Sequence, residues 1–433
     1  MSTSRPFPPE LVSAVLSYVY LSKDQDLLKT CMKVSTEWHQ ETMPFAFRDL
    51  TIPPPNLGLS PCNPNIDQVL QRFLDLLEDN PQLAVCVRNL HLDLKSGTWA
   101  TQVAESKIFP LVANKLGLLE TFRLELTPMY RNTITWLLTS REGVKDAIKR
   151  VFSLPTLTSL EIGNVFVPWE LWGFNQNLRI FTLRMPDIQI PSVGPYPTPD
   201  RPVAPIQRLT ITKGNTLEWM AFAHPYLLAQ VQAALLYMYV YRQDRSAIQA
   251  FLNETGGSLQ TLELITYVDR YESENLALDF GGNHSLRVLS LVFDLSWSPN
   301  APAFYPSLFE TLSSLPLDLL EDLVLRVDTI CDRSDDVMQA NIDLPRFLEM
   351  FDQLFSEFTE GDGQRELALR RLSLDVWYGC LRKEGTCQFH PSNDSIPPGG
   401  WEALLPRVYL LREKGIDLSV NISQSLRDRR SVF

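Results

Sequence analysis

The sequence predicts an α/β protein in which a short N-terminal helical module precedes an irregular solenoid of parallel strands alternating with helices. Three observations lead there. A brief strand pattern, apolar at i, i+3 and i+5, returns in at least eight segments, and amphipathic helical faces lie between many of them. No phosphate-binding glycine loop occurs, which weighs against the competing α/β arrangements, a closed barrel or a doubly wound sheet.

Composition sets the outer limits. At about 150 residues per domain, 433 residues suggest three domains, but one elongated array fills the same length. Hydrophobic residues make up 45% and charged residues 21%, a balance that folds rather than staying disordered. Lys and Arg total 39 against 51 Asp and Glu, and the resulting charge of -12 disfavours nucleic acid and anionic membrane as partners. Proline at 31 outnumbers glycine at 19, in keeping with many short, punctuated elements. The six cysteines include Cys31, Cys62, Cys86 and Cys331 without paired spacing, which fits a reducing compartment. No secretory pattern stands in MSTSRPFPPEL, so cytoplasm or nucleus is the expected location. The uncharged stretch Trp219–Tyr241 is long enough to cross a bilayer, yet His224, Pro225, Gln230 and Gln232 favour a helix running into the alternating strand LLYMYVY.

The first element is a helix in FPPELVSAVLSYV. Pro8 and Pro9 occupy a first turn that needs no N–H donors, and Glu10 stands near the positive helix end. Its apolar stripe is Leu11, Val15 and Val19, with Val12 and Leu16 beside them. Ser22 and Gln25 have capping-box spacing, so a second helix is expected to begin there. Leu27, Cys31, Val34 and Trp38 then form one continuous helical face, with Pro44 marking its end or a kink. About fifty residues bury too little surface to be comfortable alone, so the module packs either on the rest of the chain or on a partner.

Residues 1–50, with FPPELVSAVLSYV, then DLL, CMKVSTEW and PFAFRDLTI, resemble an F-box of the kind found at the start of many fungal F-box proteins. Phe7 stands where that family more often has leucine, and Lys33 where an apolar residue is common. The resemblance implies docking to the Skp adaptor of cullin-RING ubiquitin ligases. Pro8, Leu11, Val15, Leu16, Leu27, Leu28, Val34 and Trp38 match family positions that build or face that interface. For each of them, direct contact and an internal core role are both open.

A proline-rich joint at 51–65, IPPPNLGLSPCNPN, is short and stiff. The body, 66–433, opens on a helix in IDQVLQRFLDLLEDNP, begun near Asn65 and closed before Pro81, followed by the strand VRNLHLDL. The segments LETFRLEL, LTSLEI, LRIFTLRM, IQRLTI, LQTLELI, LRVLSLV, LEDLVLRV and LRRLSLDV resemble the L-x-x-L-x-L core of leucine-rich repeats. The resemblance implies that the apolar residues point inward and those between them face a concave surface. Helices are expected from ITWLL to Phe152, in SAIQAFLNETGG, in YPSLFETLSSLP and in LPRFLEMFDQLFSEF. Spacing is irregular and most copies lack the usual closing Asn or Cys, so the array is degenerate. A proline-rich loop is expected at 186–205, and GGWEALLPRVYLLREKGIDLSV reads as a closing helix and strand that caps the last edge.

Reactive groups offer little. The histidines His39, His91, His224 and His284 read as surface or capping residues. Cys380, Cys387 and His390 lack the paired spacing and fourth ligand of a zinc site, so no metal and no cofactor is expected. No nucleophile elbow, metalloprotease helix, Walker loop or dinucleotide fingerprint is present, which points away from an enzyme. Trp169, Trp172, Trp297, Trp377 and Tyr378 follow strand patterns and are candidates for a target-binding rim. Together with the F-box resemblance, these features imply a non-catalytic substrate-recognition subunit of an SCF-type ligase, with no nucleic acid or membrane partner. The alternative is an interaction scaffold outside ubiquitination.

Overall fold

The computed structural model describes residues 8–52, 65–94, 97–126, 136–165, 175–184, 206–212, 214–223, 225–239, 242–267, 277–294, 301–331, 368–380 and 415–425. The chain divides into two compact units, residues 1–188 with 197–204, and residues 189–196 with 205–433.

The first unit begins with three helices, α1 (Pro9–Leu21), α2 (Gln25–Cys31) and α3 (Thr36–Ala46), which run into strand β1 (Asp49–Ile52). Helices α4 (Ile66–Asp79) and α5 (Pro81–Cys86) precede β2 (Asn89–Leu94), and α6 (Gly97–Glu105) and α7 (Phe109–Lys115) precede β3 (Thr121–Leu126). Helices α8 (Trp136–Thr139) and α9 (Glu142–Phe152) then lead to β4 (Ser159–Gly163), and β5 (Ile180–Arg184) completes the row. The five strands lie side by side, parallel and in chain order. Neighbouring strands are kept in step by shared carbonyls: Arg48 O, Arg88 O, Glu120 O and Thr158 O each accept two N–H groups from the strand that follows.

The second unit repeats the scheme. Its elements are β6 (Arg208–Ile211), α10 (Gly214–Ala223), a 3-10 turn (Pro225–Leu227), β7 (Ala233–Tyr239), α11 (Arg242–Thr255) and β8 (Thr261–Tyr267). After them come β9 (Val288–Asp294), α12 (Ala301–Ser313), β10 (Asp322–Cys331), β11 (Arg371–Cys380) and β12 (Asp417–Ser425). These seven strands are again parallel and sequentially paired. Among the described residues neither unit shows the reversal of strand order that defines a doubly wound sheet. Each unit is therefore α/β, a parallel sheet with helices between several of its strands, repeating in the manner of a solenoid.

The i, i+3, i+5 spacing is the core itself. Leu119, Phe122 and Leu124 before and within β3 are fully buried, as are Leu259 and Leu262 around β8 and Leu286 and Leu289 around β9, while intervening residues keep some exposure. Each buried leucine contributes roughly 1.5–3 kcal/mol of transfer free energy, so the ladder is the main source of stability. Phe122 meets Phe152 of α9 edge to face, with ring centroids 5.6 Å apart. Two buried asparagines close helix ends: the Asn175 side-chain amide donates to Phe152 O at 2.8 Å, and that of Asn283 to Leu252 O at 3.0 Å. Each stands three residues before the first leucine of its strand pattern, Leu178 and Leu286.

Several element boundaries differ from those read in the sequence. Helix α2 is capped by Asp24, whose carboxylate accepts from Leu27 N at 2.9 Å, not by Ser22. Ser22 follows the end of α1 and donates its hydroxyl to Val19 O, and Lys23 takes φ 58, which ends α1 and frees the next residue to cap. The face through Leu27, Cys31, Val34 and Trp38 is not continuous, because Ser35 interrupts it and caps α3 through Trp38 N. Pro44 lies within α3, which continues to Ala46. The helix expected up to Phe152 is two, broken where Ser140 turns its hydroxyl back onto Trp136 O at 2.7 Å. The uncharged stretch Trp219–Tyr241 covers the end of α10, the 3-10 turn and β7, and no helix among the described residues is long and apolar enough to cross a membrane. The expected helix in LPRFLEMFDQLFSEF, the closing helix, the loop 186–205 and joint residues 53–64 lie outside the described residues.

Candidate functional site

Helices α1–α3 enclose a small core of their own. Val12, Leu16, Val19, Leu28 and Cys31 form it, and Tyr20, Trp38 and Phe45 pack against it half-buried. The buried stripe of α1 is thus Val12, Leu16 and Val19, whereas Leu11 and Val15, read from sequence in one apolar stripe with Val19, are exposed. Leu11 is 51% exposed, Val15 41%, Leu27 43% and Val34 61%. These branched side chains thus lie exposed on a bundle whose interior is already filled by other residues.

The eight sequence-read adaptor residues therefore separate into two groups. Pro8, Leu11, Val15, Leu27 and Val34 are exposed. Leu16 and Leu28 are wholly buried, and Trp38 is half-buried against the same core, so these three hold the helices that present the others. Tyr18 and Leu21, each 76% exposed, were not picked out from the sequence. Tyr18 follows Leu11 at i+7 and Val15 at i+3, and that spacing was the available signal.

The module is tied to the strand rim by polar contacts. The Tyr20 hydroxyl donates to Asp49 at 2.9 Å, and the Asn89 amide donates to the other oxygen of that carboxylate at 2.6 Å. Burial, with the Asp49 hydrogen bond and its negative charge, raises the Tyr20 pKa above its ordinary value, against an opposing pull from Arg48. The Arg48 guanidinium lies 5.6 Å from the centre of the Tyr20 ring and pairs with Glu120 at 3.2 Å; Arg88 reaches the same carboxylate at 3.7 Å. The second unit carries the same device: Arg287 and Arg370 stand 4.0 and 3.7 Å from Glu321. Arg88 also donates to Leu118 O and Arg287 to Leu319 O, two residues before each glutamate. Sequence inspection did not find these clamps, whose charges lie far apart in the chain. Between α1, α3 and the first residues of β2–β5 lies an open groove of about 500 Å³.

The outward side of the first unit's sheet carries a connected set of charges. Glu125 pairs with Arg123 at 2.5 Å and stands 3.8 Å from His91, while Glu161 takes Arg123 at 3.4 Å and Arg184 at 3.1 Å. These groups neutralise one another across β2–β5. Gly163 leaves room for Glu125, since a side-chain carbon there would stand 3.2 Å from its Cγ.

Of the proposed target-binding aromatics, Trp169, Trp172 and Trp297 lie outside the described residues. Trp377 and Tyr378 do not follow their strand but belong to it, since β11 continues to Cys380; they pair in register with Asp328 and Thr329 of β10. Cys380 ends that strand, and Cys387 and His390 lie outside the described residues. Among the described residues no group of three or more His, Cys, Asp or Glu could hold a metal ion. Burial pushes the Cys86 thiol up, the opposite of an activated nucleophile.

No protein-family model matches this chain, and a search of curated proteins finds none similar to it.

Proposed function

We propose that this chain is a substrate-recognition subunit of an SCF-type cullin-RING ubiquitin ligase. Its F-box-like helices α1–α3 dock a Skp-type adaptor, and its leucine-rich-repeat-like sheet and helices hold a target protein. The observation that supports the reading is the exposure of the apolar residues Leu11, Val15, Leu27 and Val34 on helices that already possess a filled core. Few large apolar side chains buried at a partner surface supply most of an interface's affinity. The chain contributes no catalytic residue on this reading. It accelerates transfer by holding a target lysine near a charged conjugating enzyme, which raises their effective concentration.

The test is a pull-down of purified Skp-type adaptor by the full chain. Leu27→Asp combined with Val34→Asp changes two exposed residues and leaves the core untouched, so circular dichroism and melting temperature stay as in the parent. The reading requires that the parent binds and that the double variant loses binding at least tenfold. Absence of binding by the parent, or equal binding by a folded double variant, overturns it and leaves a scaffold outside ubiquitination as the better account.

A further inference from the structure

We propose that Tyr20, Arg48 and Glu120 form a latch that holds helices α1–α3 at one angle to the strand rim, and that its release lets those helices swing as one folded body. Such a swing needs a part that is packed in itself, room to move, and a tie weak enough to open. The first unit contains all three.

Helices α1–α3 close their core around Val12, Leu16, Val19, Leu28 and Cys31, and no residue of the array enters that cluster. The Tyr20 ring belongs to the helices, since it packs on Phe45 of α3 with centroids 6.1 Å apart. The open groove of about 500 Å³ between α1, α3 and the rim is the room. The pivot is the end of α3, which touches α5 and passes through Phe47 and Arg48 into β1. Strand β1 stays with the array, because it pairs with β2 and buries Ile52.

The described ties of α1 to the rim are polar. The Tyr20 hydroxyl donates to Asp49 of β1 at 2.9 Å, and Arg48, 5.6 Å from the centre of the Tyr20 ring, reaches Glu120 just before β3 at 3.2 Å. Asn89 holds Asp49 from the array side at 2.6 Å, and Arg88 stands 3.7 Å from Glu120, whose hold on Arg48 is therefore divided. The Arg48 and Glu120 side chains are 38% and 40% exposed, a setting in which single ion pairs contribute little. The Arg48 Nε is buried with no hydrogen-bond partner among the described residues, a cost that the closed arrangement carries and an open one sheds. Several weak contacts set against one unmet donor leave the two arrangements close in free energy, the condition under which binding shifts a population. Whatever docks on α1 and α2 has its angle to the array set by this latch.

The test places spin labels on encoded ketone residues, so that the native cysteines stay, at the exposed positions of Lys33 in the turn between α2 and α3 and Lys149 on α9 of the full chain. Pulsed electron resonance reads the distance between them in the parent, in Glu120→Gln with Tyr20→Phe, and in the control Glu78→Gln, which loses an exposed pair with Lys115 inside the array. Expected are one narrow distance in parent and control, and a distribution roughly twice as wide in the latch variant at unchanged circular dichroism. If the double variant does not fold, Glu120→Gln alone decides, at a partly exposed carboxylate. A parent already as wide as the latch variant, a folded latch variant as narrow as the parent, or an equal widening in the control overturns the latch.

Discussion

Replacing Phe122 with alanine is the sharpest perturbation of the repeated strand pattern. Phe122 is fully buried near the start of β3, between Leu90 of β2 and Leu160 of β4 in register, and meets Phe152 edge to face at 5.6 Å. Truncating a buried phenylalanine costs about 3–5 kcal/mol through lost transfer energy and the cavity left behind. The edge-to-face pair accounts for about 0.5–1.5 kcal/mol of such a loss. In an array where each repeat contacts only its neighbours, the damage is local. Urea unfolding followed by circular dichroism is expected to show a loss of about 4 kcal/mol. Amide hydrogen exchange is expected to show protection falling first in β2–β4, with β9–β11 unchanged. A loss below about 1 kcal/mol, or an equal fall in protection along every strand, would refute the reasoning.

Three further outcomes follow from the N-terminal helices. Leu16→Ala, within their core, is expected to lower stability by about 2–5 kcal/mol, whereas Val15→Ala one residue earlier stays within about 0.5 kcal/mol; paired denaturant titrations check this. Asp24→Ala removes the cap of α2 and is expected to cost about 1 kcal/mol, read in the same way, while Ser22→Ala costs less. Because the folded-state pKa of Tyr20 is raised, the contribution of its neutral phenol is complete below the unfolded value of about 10 and is lost as pH rises through the higher folded value. Stability measured through the alkaline range is therefore expected to fall less steeply in Tyr20→Phe than in the parent.

The sheet was legible in the sequence because its inward positions are almost purely apolar and their spacing is set by strand geometry. Leu119, Phe122 and Leu124 announce a strand wherever their pattern recurs. Helix ends were less legible, since Ser22, Asp24 and Ser35 are all competent caps and only the backbone turn at Lys23 decides between the first two. The face of α1 could not be read from period alone: Leu11 and Val12, or Val15 and Leu16, are equally apolar, and tertiary packing chooses Val12 and Leu16 for the core. The rim contacts escaped because Arg48 and Glu120 meet across 72 residues of chain. Trp377 and Tyr378 were placed after a strand that in fact contains them, since Val376 to Cys380 extends β11 beyond its leucine pattern.

Side-chain footprinting by hydroxyl radicals, on the full chain with and without a saturating Skp-type adaptor, tests the central claim most directly. The account predicts reduced labelling at Leu11, Val15, Leu27 and Val34, and unchanged labelling at the exposed Leu76, Val85 and Leu111 elsewhere in the first unit. Unchanged labelling on all four helical residues, or protection confined to Leu76, Val85 and Leu111, would contradict it.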